Sequence, residues 1–219
     1  MTRRSQIKRL YLDLDRTLYM TDRALKLVAE ECEKLWRDKG ITAQRLIQEA
    51  PRYYSSEDPN ALRTHEFFRQ MLAYGVDLRT EGGRLRDSLS KYDLLFPDAR
   101  DLLDYVDTLN DLEVKIITFG EEDFQKFKLS LLPRLAKYPV IITMGEKATY
   151  IRRHEKKTPS LIVDDKTNPS LPAWCEGVLL DRTGNTSSKD LDQESGELVV
   201  NGLDAIKSLI TSTRSVDLI

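Results

Sequence analysis

The feature that most restricts the fold of this chain is an interruption. Residues 7–13 (IKRLYLD) alternate and then end in acid, which predicts a short strand near the N-terminus. No strand pattern follows between residues 20 and 95. Instead Ala24, Leu25, Val28, Ala29, Cys32, Leu35 and Trp36 recur at three- and four-residue steps, one amphipathic helix stripe. Thr21 or Asp22 is placed to cap its start, and Gly40 follows its end. Further helical text covers residues 43–49, 61–74 and 81–91, broken at Pro51 and over residues 55–59.

After Pro97 the texture changes. Helices are expected at 98–109, 123–132, 146–155 and 203–210, and strands at 113–118, 139–144, 160–164, 177–180 and 197–200. Apolar runs separated by helices mark a parallel sheet covered on both faces. The expected fold is therefore α/β, a Rossmann-like parallel sheet core with helices on both faces, plus a small all-helical cap. The core takes residues 1–18 and 93–219, and the cap takes residues 19–92. Ligands of open α/β sheets bind outside the carboxyl ends of the strands. An insertion leaving the first strand at that end is positioned as a lid.

Composition narrows the function. A chain of 219 residues buries roughly 70% of its unfolded surface and needs no staples to fold. The 34 Lys and Arg against 36 Asp and Glu give −2, which argues against a general nucleic-acid partner. Apolar content of 40% with 32% charged residues is that of a globular chain. No apolar stretch is long enough to span a bilayer, and residues 1–6 lack the apolar core of a signal peptide. Cys32 and Cys175 form no metal spacing and no disulfide framework, so a reduced cytoplasmic setting is expected. A monomer or homodimer without membrane or nucleic-acid partners is the matching expectation.

The chemistry falls at strand ends. The first strand ends in Asp13-Leu14-Asp15-Arg16-Thr17, the second in Thr118, and the fourth in Asp164-Asp165; Lys147 opens the helix after the third. A parallel sheet brings all four ends to one edge, and four carboxylates gathered there cannot all stay ionised without a cation. Mg²⁺ bound by two or three of them relieves the repulsion, leaving the others for covalent and acid–base work.

These residues carry a resemblance. Asp13-x-Asp15-x-Thr17-Leu18 after a short apolar strand resembles the first motif of the haloacid dehalogenase-like (HAD) superfamily. Thr118, Lys147 and Asp164-Asp165 resemble its second, third and fourth motifs, at gaps of 105, 29 and 17 residues. Residues 96–99 (FPDA) resemble the segment re-entering the core after a cap. The resemblance implies a Mg²⁺-dependent phosphatase of a small phosphorylated metabolite. Asp13 is then the nucleophile forming an aspartyl-phosphate, and Asp15 the general acid and base. Thr118 and Lys147 hold the phosphoryl group. Asp13, the backbone carbonyl of Asp15, Asp164 and Asp165 hold Mg²⁺.

A dehalogenase or a phosphomutase of the same fold, a receiver-type signalling domain, and a non-catalytic phosphate-binding member are the competing readings. Asp15 argues against a dehalogenase, whose nucleophile attacks carbon without a metal. Receivers carry the acid pair on the first strand and the phospho-acceptor on a later one, the reverse of this order.

Two positions depart from the family pattern. Arg16 stands where a small residue is common, and Phe119-Gly120-Glu121 follows Thr118 in place of Asn-Gly, setting an acid near the crevice. Lys126, Lys128 and Lys166 compete with Lys147 for its role. Arg52, Tyr53, Tyr54, Arg63 and Tyr74 are either a substrate-facing set on the cap or surface residues. His65 and His154 are expected to be ordinary surface or core residues.

Overall fold

The computed structural model describes residues 6–56, 62–184 and 197–214. Strand β1 (Arg9–Leu12) is followed by four helices, α1 (Thr21–Trp36), α2 (Ala43–Glu49), α3 (Phe67–Ala73) and α4 (Leu78–Leu89). The chain then alternates through α5 (Pro97–Asp107), β2 (Glu113–Phe119), α6 (Glu122–Ser130), β3 (Val140–Thr143), α7 (Lys147–His154) and β4 (Ser160–Asp164). It closes with β5 (Cys175–Leu180), β6 (Leu198–Val200) and α8 (Asp204–Arg214).

All six strands form one parallel sheet in the order β3-β2-β1-β4-β5-β6. Among the described residues, nothing between residues 20 and 95 joins that sheet. The α/β class and the parallel core are as the sequence predicts.

Alternation along each strand sorts the side chains to two faces. Leu10, Leu12, Ile116, Leu161, Val163 and Val178 pack on one side with Ala99, Leu102 and Val106 of α5 and Ile206 and Ile210 of α8. Tyr11, Ile117, Ile141 and Ile162 pack on the other with Ile151 of α7. β1 is buried along its whole length because it sits at the centre with cover above and below. The strand order reverses between β1 and β4, and the crevice of such a sheet opens beyond the carboxyl ends of those two strands.

Two helix boundaries shift. Expected from residue 61, which lies outside the described residues, α3 begins only at Phe67. The backbone before it is spent on extended pairing: Ser55 N–H donates to Thr64 O at 3.0 Å, and Glu66 N–H to Tyr53 O at 2.8 Å. Expected from 81, α4 starts at Leu78 because the Asp77 side chain accepts from Arg79 N–H, an N-cap. Residues 57–59 of the expected break lie outside the described residues.

The helical insertion is apolar inside, and that interior is continuous with the sheet core through Tyr19, Leu94, Leu95 and Phe67. Phe67 of α3 packs on Phe124 of α6 at 5.0 Å between ring centroids. One charge is buried within it. Glu31 of α1, 3% exposed, takes Lys34 Nζ at 2.7 Å and the Tyr92 hydroxyl at 3.0 Å, and it also takes Ser88 of α4. Hydrogen bonds from Lys34, then Ser88, hold its carboxyl down to about 2.

A depressed acid contributes stability above its unfolded pKa and loses it as pH falls through the folded one. Glu31→Gln is therefore expected to cost about 1–3 kcal/mol at pH 7, the range for leaving buried partners unmatched. Urea unfolding of both proteins should show that gap shrinking between about pH 5 and pH 2. An equal gap at pH 7 and pH 2 would show that Glu31 does not act through its charge.

Candidate active site

Asp13 lies one residue beyond β1, where its N–H still donates to Val163 O of the neighbouring strand at 3.0 Å. The sheet thus fixes its backbone, and its side chain is 3% exposed. Lys147, the first residue of α7, bridges two strand ends: its Nζ lies 2.5 Å from Asp13 Oδ1 and 2.7 Å from Asp164 Oδ2. Of the four lysines considered from sequence, this one meets the acids of the first and fourth motifs.

Asp13, Asp164 and Asp165 offer ligand oxygens that all lie within 4.8 Å of one another. Asp13 Oδ2 is buried and has no hydrogen-bond partner. Asn168 Nδ2 donates to Asp164 Oδ2 at 3.0 Å, and Lys166 N–H to Asp164 Oδ1 at 3.1 Å, which fixes that carboxylate.

The electrostatics follow from burial. It pushes Asp13 up to about 8, against the pull of Lys147 and with the push of Asp164. It pushes Asp165 up to about 6, with Asp164 adding to the effect. Burial alone would lower Lys147, but Asp13 and Asp164 outweigh it and raise the ammonium above its ordinary value. The upward shifts of Asp13 and Lys147 pull in opposite senses. An ammonium touching two carboxylates fits ionised Asp13 with charged Lys147, leaving one cation among three acids. An all-oxygen acidic cluster with an unmatched buried oxygen fits a hard divalent cation such as Mg²⁺.

The loop after Asp13 turns sharply. Arg16 has φ 59°, and its N–H donates to Tyr19 O and to Thr21 Oγ1. Its guanidinium pairs with Asp22 at 2.9 Å. Arg182, beyond β5, clamps the loop by donating to Arg16 O at 2.9 Å and Thr17 O at 2.7 Å while also pairing with Asp98. This explains how Arg16 is tolerated at a position where small residues are common: the backbone is held from outside, and the side chain, at the cavity wall, is paired with Asp22.

Asp15 lines the same cavity but stands outside the acidic cluster. Its Oδ1 accepts from Thr21 Oγ1 at 3.0 Å and its Oδ2 from Lys128 Nζ at 2.5 Å. Its carboxylate is thus outside the group that could hold a metal, while its backbone carbonyl remains the expected ligand.

Thr118 ends up behind the wall. It is wholly buried, its hydroxyl donates to Gln125 Oε1 at 3.1 Å, and it is not among the residues lining the cavity. Gln125 and Lys128, one helical turn apart on α6, do line it. Sequence reading passed over Gln125 as helix text and weighed Lys128 only as a competitor for the role of Lys147. The signal was there in spacing: Gln125 and Lys128 share the buried stripe of Phe124 and Phe127. A polar residue on such a stripe needs a partner.

The cavity measures about 830 Å³ and runs from Asp13, Asp15, Lys147, Asp164 and Asp165 to Leu25, Tyr54, Leu62, Arg63 and His65 of the insertion. Of the aromatic and basic set, Tyr54 and Arg63 line it, with the guanidinium 4.7 Å from the Tyr54 ring centre. Arg52, Tyr53 and Tyr74 do not line it, and Tyr74 bonds Glu49 at 2.5 Å. His65, expected to be ordinary, forms part of the wall and holds Gln70 at 2.7 Å. His154 stacks on Tyr150 outside the cavity. Glu121 is not a lining residue, so its acid does not face the crevice. No helix among the described residues is long and apolar enough to cross a membrane.

No protein-family model matches the chain, and no curated protein matches it. Solved structures do. One described as a haloacid dehalogenase-like hydrolase from Burkholderia xenovorans LB400 superposes with a TM-score of 0.61 at 15% identity, over 95% of this chain and 99% of that one. A HAD-hydrolase of Bacillus subtilis, solved bound to magnesium, gives 0.53 at 15% identity over 94% and 99%. An L-2-haloacid dehalogenase from Xanthobacter autotrophicus with covalently bound chloropropionic acid gives 0.51 at 14% identity over 94% and 98%.

Proposed function

On the fold of the haloacid dehalogenase-like hydrolases, which this chain has, we propose a Mg²⁺-dependent phosphatase of a small phosphorylated metabolite, working through an aspartyl-phosphate. The observation that carries the reading is Asp13. It is a buried carboxylate at the sheet's reversal point, with one oxygen on Lys147 and the other unpartnered, and Asp164 and Asp165 lie beside it. A carboxylate so placed is a nucleophile held ready.

Asp13 attacks phosphorus, and the bond from phosphorus to the ester oxygen breaks. Asp15 supplies the proton to that departing oxygen, then takes one from the water that attacks the aspartyl-phosphate. Lys147 and the Thr118 segment position the phosphoryl group, since this chemistry needs mainly positioning and charge neutralisation. Asp13, the Asp15 carbonyl, Asp164 and Asp165 would hold Mg²⁺, which when bound offsets charge on the phosphoryl oxygens.

The test is phosphate release from a panel of sugar phosphates, nucleotides and phosphoglycolate with Mg²⁺, beside halide release from 2-haloacids. Phosphate release supports the reading. Halide release without metal would replace it with the dehalogenase reading that the Xanthobacter likeness favours, and product in which phosphate has moved within one sugar would replace it with a mutase.

Residues 19–92 then act as a lid hinged near 19–22 and 92–97, because the two crossings run side by side, with Met20 N–H donating to Leu94 O at 2.9 Å, Thr21 of the first lines the cavity, and Tyr54 and Arg63 reach into it. Closure of such a lid excludes water from the reaction. Hydrogen exchange with beryllium fluoride and Mg²⁺ is expected to rise in protection at both crossings and near residues 62–65. Unchanged exchange throughout the insertion would sink the lid.

A further inference from the structure

We infer that Gln125 carries the phosphoryl-oxygen contact expected of Thr118, and that Thr118 is the positioning residue behind it. This rests on the phosphatase reading. Thr118 is enclosed and gives its one hydroxyl proton to Gln125 Oε1. Gln125 stands between it and the cavity.

The orientation of the Gln125 amide is fixed by its neighbours. Its Nε2 lies 3.0 Å from Phe119 O, which can only accept, so the amide nitrogen points there and Oε1 faces Thr118. One amide proton is used on Phe119. The other is directed at Asp15 Oδ2 across 3.5 Å, at the outer limit of a hydrogen bond, and that oxygen already has Lys128 at 2.5 Å. A rigid donor with a barely used proton, on the wall of an anion crevice, is the arrangement that stabilises a charged oxygen without reorganising.

The surroundings are built around this amide. A Cβ at Gly120 would sit 2.3 Å from Gln125 Nε2 and 3.0 Å from Thr64 Oγ1, and Gly120 has φ +148°. Thr64, from the insertion, accepts from Glu121 N–H at 3.1 Å and closes the same corner. Glycine is needed there because the amide occupies the space a side chain would take.

The experiment compares wild type, Gln125→Ala, Gln125→Met, Thr118→Val and Thr118→Ser, using p-nitrophenyl phosphate with Mg²⁺ for kcat and KM and beryllium fluoride for binding. Gln125→Ala is expected to lower kcat by about 10²–10³-fold, the usual loss for one such donor. Gln125→Met, which keeps the bulk, should fall equally and guards against a loss due to unfolding. Thr118→Val should fall only about tenfold, mostly in kcat, because Phe119 O still holds the amide, and Thr118→Ser should restore it. Beryllium fluoride should raise the melting temperature of wild type and Thr118→Val but not of Gln125→Ala.

A Thr118→Val loss as large as that of Gln125→Ala, or a Gln125→Met enzyme within about threefold of wild type, overturns the inference while leaving the phosphatase reading standing. A wild-type chain that neither hydrolyses the ester nor binds beryllium fluoride overturns both.

Discussion

Asp13→Asn is expected to reduce kcat by at least about 10⁴-fold while leaving the chain folded, because an amide cannot replace the attacking carboxylate. The substitution is isosteric, and Lys147 keeps its second partner, Asp164, at 2.7 Å. The site therefore loses one negative charge from a group of three crowded acids, and melting temperature in metal-free buffer should hold or rise. Steady-state hydrolysis together with a thermal melt checks both halves. Residual turnover above a few per cent of wild type would remove Asp13 from the role of nucleophile, and a collapsed melt would move it to structure.

Removing the divalent cation is expected to have an effect as large. EDTA should abolish hydrolysis and Mg²⁺ restore it, since Lys147 alone cannot balance Asp13, Asp164 and Asp165. The pH dependence has a definite sign. Burial and the neighbouring Asp164 raise Asp165 to about 6, so in the folded metal-free chain this carboxyl holds its proton to higher pH than in the unfolded one. The contribution of Asp165 to stability therefore falls as pH rises from about 4 to about 6. Mg²⁺ takes the place of that proton, so its stabilising effect should be greater at pH 8, where Asp165 is ionised, than at pH 6. Calorimetry at both pH values reads this without any assay of turnover. Full activity in metal-free buffer, or a melting temperature indifferent to Mg²⁺ at pH 8, would remove the metal from the reading.

The alternation of strands and helices after Pro97, the helical stretch between residues 20 and 95, and the parallel sheet were all legible from spacing alone. The physical reason is that apolar period is a local property: burial on two faces demands continuous apolar runs, and burial on one helix face demands a stripe. The strand-end positions of Asp13, Lys147 and Asp164 were legible for the same reason. A parallel sheet sends all such ends to one edge, and there Lys147 meets both acids.

Direction and depth at that edge were decided only by the tertiary structure. Whether Thr118 faces the crevice depends on what α6 lays in front of it, and Gln125 does so through a contact seven residues away. Which lysine meets which acid depends on distances that no spacing encodes: Lys147 closes on Asp13 and Asp164, and Lys128 on Asp15. The turn at Arg16 is held by Arg182, 166 residues along the chain. Tyr54 and Arg63 reach the cavity while Tyr53 and Arg52 do not: the chain leaves a 3-10 turn (Ala50–Tyr53) at Tyr54, which pairs in extended form with His65 and so joins residues 62–65 at the wall. Period and strand ends are written along the chain; partners brought together across more than a hundred residues are set by packing, and only the folded molecule contains them.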